Sequence, residues 1–238
     1  MKLDLLAFGA HPDDVELGCG GTIAKQIHLG NKVGIVDLTR SELSSRGTVA
    51  TRQAETDAAS KILGVHSRDN LGFADGFFIN DKAHQLEIIK LIRHYQPSVV
   101  LTNALIDRHP DHGRGHELLR DACFLAGLSM IETTFNGEKQ SEWRPRNIHN
   151  YIQAYHIEPQ FVVDISGFEE IKMQAVLAYS SQFYNPNSNE KDTFISSKEF
   201  LDFIKSRMVQ FGLIAGFKYA EGFTTPRYFG VDDLMKLY

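Results

Sequence analysis

Three short apolar runs rich in Val, Ile and Leu punctuate the first half of the chain: 3–9 (LDLLAFG), 33–38 (VGIVDL) and 98–103 (SVVLTN). Apolar on consecutive positions and bounded by turn residues, they have the pattern of strands covered on both faces. Between them, over 15–29, 49–63 and 82–95, apolar positions recur three to four residues apart, which predicts helices. Gly30 and Gly64 supply fitting helix stops, and Pro97 introduces the next strand. Strand alternating with helix implies βαβ crossovers and a doubly wound, mostly parallel sheet with helices on both faces, a Rossmann-like α/β layout. Such sheets bind ligands at the carboxyl ends of their strands.

Past residue 140 the pattern loosens. Segments 147–156 and 161–166 read as strands, 169–179 and 197–216 as helices, and the polar, turn-rich stretch 180–196 as a long surface loop. The expectation is one domain over 1–238, with 1–140 as the core and 141–238 a smaller extension completing it.

Composition narrows the partners. With 42% hydrophobic and 23% charged residues the chain can bury a sizeable core. A net charge of −5 without a basic run argues against nucleic acid and for a small-molecule partner. No segment approaches the roughly 18 apolar residues of a membrane span, and the N-terminus lacks a leader pattern, so a cytoplasmic location away from membranes is expected. Cys19 and Cys123, far apart and outside any C-x-x-C spacing, read as buried free thiols.

The chemistry gathers at two strand ends. His11-Pro12-Asp13-Asp14 follows the first apolar run, and Arg108-His109-Pro110-Asp111-His112 follows the run at 98–103; each precedes a helical stretch. Helix capping explains a lone His-Pro-Asp, but it needs no imidazole and no second ligand-type residue. If the two strands are neighbours, His11, Asp14 and one of His109 or His112 form a two-His, one-carboxylate site with an open position. That set suits catalytic zinc and also admits Fe(II), Co(II) or Mn(II). The glycines of "GCGG" (18–21) stand where a dinucleotide fingerprint would need its turn earlier, so close helix packing is their expected role.

"AHPDD" followed by "HPDH" resembles the zinc-dependent N-acetylglucosamine de-N-acetylases, the family of the LmbE-like proteins and of the mycothiol and glycosylphosphatidylinositol (PIG-L) deacetylases. "RQAETDAASKILG" (52–64), "NLGFADG" (70–76) and "MQAVLAYSSQ" (173–182) extend the likeness. Among members, the opening 23-residue stretch "LDLLAFGAHPDDVELGCGGTIAK" and the segment from Leu101 to Leu128 most resemble the deacetylase of bacillithiol biosynthesis. N-acetylglucosaminyl-malate is the substrate so implied, and other acetylated amino sugars such as N-acetylglucosamine or chitobiose are the alternatives within the family.

By that resemblance His11, Asp14 and His112 hold the zinc and Asp13 is the general base. His109 becomes a protonated electrophile, its imidazole held and its pKa raised by Asp111. Arg52, Asp75 and Arg108 contact the sugar or its aglycone, and the chain forms a homo-oligomer, a hexamer. A non-catalytic metal- or sugar-binding module is the competing class, and the spare carboxylate of Asp13 speaks against it.

Overall fold

Strand β1 (Leu5–Gly9) is an inner strand of the sheet, every residue of it buried. A computed structural model describes residues 1–236. After β1 follow α1 (Asp14–His28), β2 (Val33–Thr39), α2 (Val49–Leu63), β3 (Ser67–Phe73), α3 (Lys82–Tyr95), β4 (Val99–Thr102) and α4 (Pro110–Leu125). A two-stranded ribbon of β5 (Thr134–Phe135) and β6 (Glu138–Lys139) leads to β7 (Asn147–Tyr151), β8 (Phe161–Asp164), α5 (Glu169–Leu177), α6 (Lys198–Ile214) and β9 (Ala220–Thr224).

The seven-stranded sheet runs β3-β2-β1-β4-β7-β9-β8. Its first five strands are parallel, and β9 is antiparallel to both β7 and β8. The expected doubly wound, mostly parallel α/β fold is thus present. The strands past residue 140, β7, β8 and β9, join this same sheet. Successive residues of β1 feed opposite cores: Leu6 and Phe8 pack with α3 and α4, Leu5 and Ala7 with α1, α2 and α5.

Strand β9 was not expected from the sequence. Its residues, AEGFT, are all buried, including Glu221, and a buried charge breaks the apolar pattern by which inner strands are read. That charge is explained by α1, which loses helical geometry at Cys19 (φ −145°). The break frees backbone groups that need new partners. Glu221 accepts from the Gly21 and Thr22 amides at 3.0 and 2.7 Å, and Lys172 Nζ donates to Leu17 O at 2.8 Å and to Glu221 at 2.5 Å. The glycines of the break permit close packing, as expected: a Cβ on Gly18 would overlap the Tyr151 ring, and one on Gly21 would lie 2.8 Å from Ile165.

Candidate metal and active site

β1 and β4 are hydrogen-bonded neighbours, so both His-Pro-Asp segments open at the same sheet edge. Asn103, just past β4, fixes the end of β1 by accepting from the Ala10 amide at 2.9 Å. The chain then turns through Asp13 at φ +115°, a region L-residues avoid at a cost of order 1–3 kcal/mol. Arg52 of α2 braces that turn: its Nη1 donates at 2.7 Å both to Pro12 O and to Asp13 Oδ2. The strained turn sends Asp13 to Arg52 while Asp14, one residue on, faces the histidines.

Asp14 Oδ1 lies 3.1 Å from His112 Nε2, and Asp14 Oδ2 lies 3.6 Å from His11 Nδ1. Asn103 and Gln153 each donate to Asp14 at 2.9 Å, which fixes the carboxylate's plane. Behind each imidazole stands a carboxylate on the opposite ring nitrogen. His112 Nδ1 meets Asp107 Oδ2 at 2.6 Å, while His11 Nε2 meets Asp75 Oδ1 at 3.0 Å and Asp111 Oδ2 at 3.3 Å. Carboxylate, imidazole and open ligand nitrogen in series is how metal-binding histidines are oriented and made basic.

The charges fit a cation. Burial opposes a proton on either histidine, yet Asp111, Asp14 and Asp75 raise His11 well above its ordinary pKa, and Asp14 and Asp107 bring His112 up to about 9. Burial likewise opposes ionisation of Asp14, but His112 and His11 hold it well below the usual carboxylate range. The carboxylates therefore demand positive charge at this point, which protons supply when no metal does. Asp14 faces His11 and His112 as a carboxylate beside two imidazoles, donor types that zinc takes; ring nitrogens of His11, His109 and His112 lie within 4.8 Å of one another, as do donor atoms of His11, Asp75 and Asp111.

His109 is the N-cap of α4: its Nδ1 accepts from the Asp111 amide at 3.3 Å, with Pro110 at the first helical position. Capping does not exclude a place in the site: the ring that caps α4 also lines the pocket. An imidazole accepting on Nδ1 carries its proton on Nε2 when neutral. Burial and the positive fields of His11 and His112 push His109 down to about 4, outweighing Asp111 and favouring the neutral ring. The expected hold of the Asp111 carboxylate on the His109 ring is not made, and the field of Asp111 does not lift that ring above its ordinary pKa. Asp111 turns its carboxylate to His11, to the Gly76 amide at 2.7 Å and to Arg114 Nη1 at 2.7 Å.

The expected sugar contacts also divide. Asp75 lines the pocket, but its two oxygens are engaged by His11 and by the Leu43 amide at 2.9 Å. Arg52 lines it too, with its guanidinium directed to the Asp13 turn. Arg108 is exposed at the rim, 4.7 Å over the Phe194 ring.

The pocket above these groups has a volume of about 220 Å³ and a wall formed by Leu17, Gln153, Phe194, Ile195, and Phe200, Ile204 and Arg207 of α6. Phe194 and Ile195 belong to the 180–196 loop. Arg46 ties that loop down, donating to Ser181 O at 2.6 Å, Lys191 O at 3.0 Å and Ser188 Oγ at 2.9 Å. Asp107, Asn103 and Gln153 were missed although Asp107 and Asn103 flank "RHPDH"; strand-end position was the available signal.

The PIG-L family, GlcNAc-PI de-N-acetylase, matches residues 6–123. A diacetylchitobiose deacetylase of Thermococcus kodakarensis is 29% identical over 228 residues, covering 92% of this chain and 81% of its own. The uncharacterized deacetylase YaiS of Escherichia coli is 37% identical over 127 residues, 50% of this chain and 67% of its own. The crystal structure of the conserved protein TT1542 from Thermus thermophilus superposes with a TM-score of 0.86 at 36% identity, covering 96% of this chain and 97% of that one. With both halves of the paired motif at one sheet edge and relatives at this identity and coverage, the chain belongs to the PIG-L/LmbE family.

Proposed function

We propose that this protein is a zinc-dependent hydrolase that removes acetate from the N-acetyl group of a small molecule containing N-acetylglucosamine. The observation that carries the reading is the division at the end of β1: Asp14 joins His11 and His112, while the adjacent Asp13 carboxylate stays out of that set and faces the same pocket. A binding module has no need of the second carboxylate; hydrolysis needs a base.

Zinc, when bound by His11, Asp14 and His112, supplies Lewis acidity to a water and to the acetamide carbonyl. Asp13 takes the proton from the attacking water. Burial, opposed by Arg52 and reinforced by Asp14, raises its pKa to about 6, high enough to accept a proton and low enough to be ionised at neutral pH. His109 donates its Nε2–H to the acetamide oxygen as charge develops there, acting as a neutral donor. Protonated Asp13 then returns its proton to the leaving amine.

For the physiological substrate we propose N-acetylglucosaminyl-malate, on the likeness of the 23-residue opening and of the segment from Leu101 to Leu128 to the bacillithiol enzyme. Diacetylchitobiose is the substrate named for the Thermococcus relative. Exposed Tyr228, Phe229, Leu234 and Met235 near the end of the described chain support the homo-oligomer reading. No helix among the described residues is long and apolar enough to cross a membrane.

The test is free-amine release from N-acetylglucosaminyl-malate, N-acetylglucosamine and chitobiose by the zinc-loaded protein. Release from the malate conjugate in preference to the other two is expected. No release from any of them sinks the hydrolase reading in favour of a binding module.

A further inference from the structure

Phe200, Ile204 and Arg207 follow one another on α6 at spacings of four and three, so one face of the helix looks into the pocket. Two of these residues are ordinary wall material; the third carries a charge. Arg207 is only 8% exposed, and its Nη1 is enclosed without a hydrogen-bond partner among the described residues. It lies over the Phe203 ring at 5.2 Å.

The two acids whose fields reach it are Glu221 and Asp107, and both are committed elsewhere. Glu221 is taken up by Lys172 and by the Gly21 and Thr22 amides. Asp107 is taken up by His112 and by the Tyr155 amide at 2.8 Å. A guanidinium is a fork of five donors with no acceptor, and enclosing one without a partner is costly. An oxyanion with two acceptor oxygens matches that fork and would complete it.

We propose that Arg207 is the anion-binding residue of this pocket, seating a carboxylate or phosphate of the aglycone while the acetamide lies at the His11/Asp14/His112 cluster. This rests on the deacetylase reading and narrows it to substrates with an acidic group beyond the sugar. The rival role is structural. On its other side Arg207 borders a cavity of about 10 Å³ shared with Lys172 and Glu221, room for one water bridging to Glu221.

The experiment compares the zinc-loaded wild type, Arg207→Lys and Arg207→Met on N-acetylglucosaminyl-malate, N-acetylglucosamine 1-phosphate and the neutral methyl N-acetylglucosaminide. Expected is a wild-type preference for one or both anionic substrates. Arg207→Met should remove it through a KM raised about 10- to 100-fold, with under about threefold change on the neutral substrate. Arg207→Lys should keep part of the preference, because it keeps charge without the fork. Malate favoured over phosphate, or the reverse, identifies which oxyanion is seated.

Equal losses on charged and neutral substrates, or a wild type with no anion preference, would overturn the proposal. If Arg207→Met does not fold, the wild-type preference and the Arg207→Lys comparison still decide. Calorimetry on metal-free protein with the two anionic compounds needs no turnover. Anion binding lost in the variants supports Arg207 even if no amine is released from any substrate, an outcome that would count against the deacetylase reading alone. Absence of binding in the wild type overturns the Arg207 proposal.

Discussion

His112 Nδ1 stands 2.6 Å from Asp107 Oδ2, and that contact aims the other ring nitrogen of His112 at Asp14. Asp107 is itself fixed by the Tyr155 amide on its second oxygen. Replacing Asp107 by Asn should weaken metal binding about 10- to 100-fold, because the imidazole loses both its orienting partner and the charge that makes it basic. Competition against a chromophoric chelator measures this. Wild-type affinity in the variant would show that His112 does not depend on Asp107.

Asp13→Asn separates the proposed base from the proposed metal ligands. The variant should retain one metal per chain and lose about 10²- to 10⁴-fold in kcat, the usual contribution of a general base. Metal analysis beside amine release gives both readings. Near-wild-type turnover would assign the base elsewhere.

The pH profile should carry the signature of Arg52. As the proposed base Asp13 acts ionised, so kcat/KM should fall as pH drops through its pKa, which burial raises to about 6. Arg52 holds that value down against burial. Arg52→Met should therefore shift the acidic limb to higher pH, and an unmoved limb would mean that another group sets it.

Metal uptake should expel protons. Without metal, His11 titrates well above its ordinary range and His112 at about 9, so both are protonated at neutral pH and both must be deprotonated to bind. About two protons are expected per metal near pH 7, with affinity dropping as pH falls. Calorimetry in buffers of different ionisation enthalpy counts them; no release would contradict the charge balance described.

Gly18→Ala probes the break in α1. Its Cβ would strike the Tyr151 ring, which is fully buried and pinned by its hydroxyl donating to Phe8 O at 2.9 Å. Overpacking of this kind costs about 1–3 kcal/mol. Chemical denaturation should register that loss, whereas an unchanged midpoint would show that Tyr151 can yield.

The repeating strand and helix pattern was legible in the sequence because burial leaves a periodic trace: consecutive apolar residues in β1, β2 and β4, three-to-four spacing in α2 and α3. Where burial is polar the trace fails. β9 hides Glu221 in the sheet with Lys172 as its counter-charge, and Arg207 lines a pocket from a helix that reads as ordinarily amphipathic. The His-Pro-Asp pairs were likewise visible, since strand ends in a doubly wound sheet are where ligand groups collect.

Which carboxylate serves which imidazole was decided only by the fold. Asp75 lies 64 residues from His11, and Arg52 lies 39 from Asp13. Asp111 sits two residues from His109 yet turns to His11, because capping α4 uses the His109 ring nitrogen with the Asp111 amide and leaves its carboxylate free to point away. Sequence thus determined which chemical groups stand at the end of β1 and the start of α4. Their partners, their charge states and the wall opposite them came from packing, since direction and desolvation depend on neighbours that the linear order does not specify.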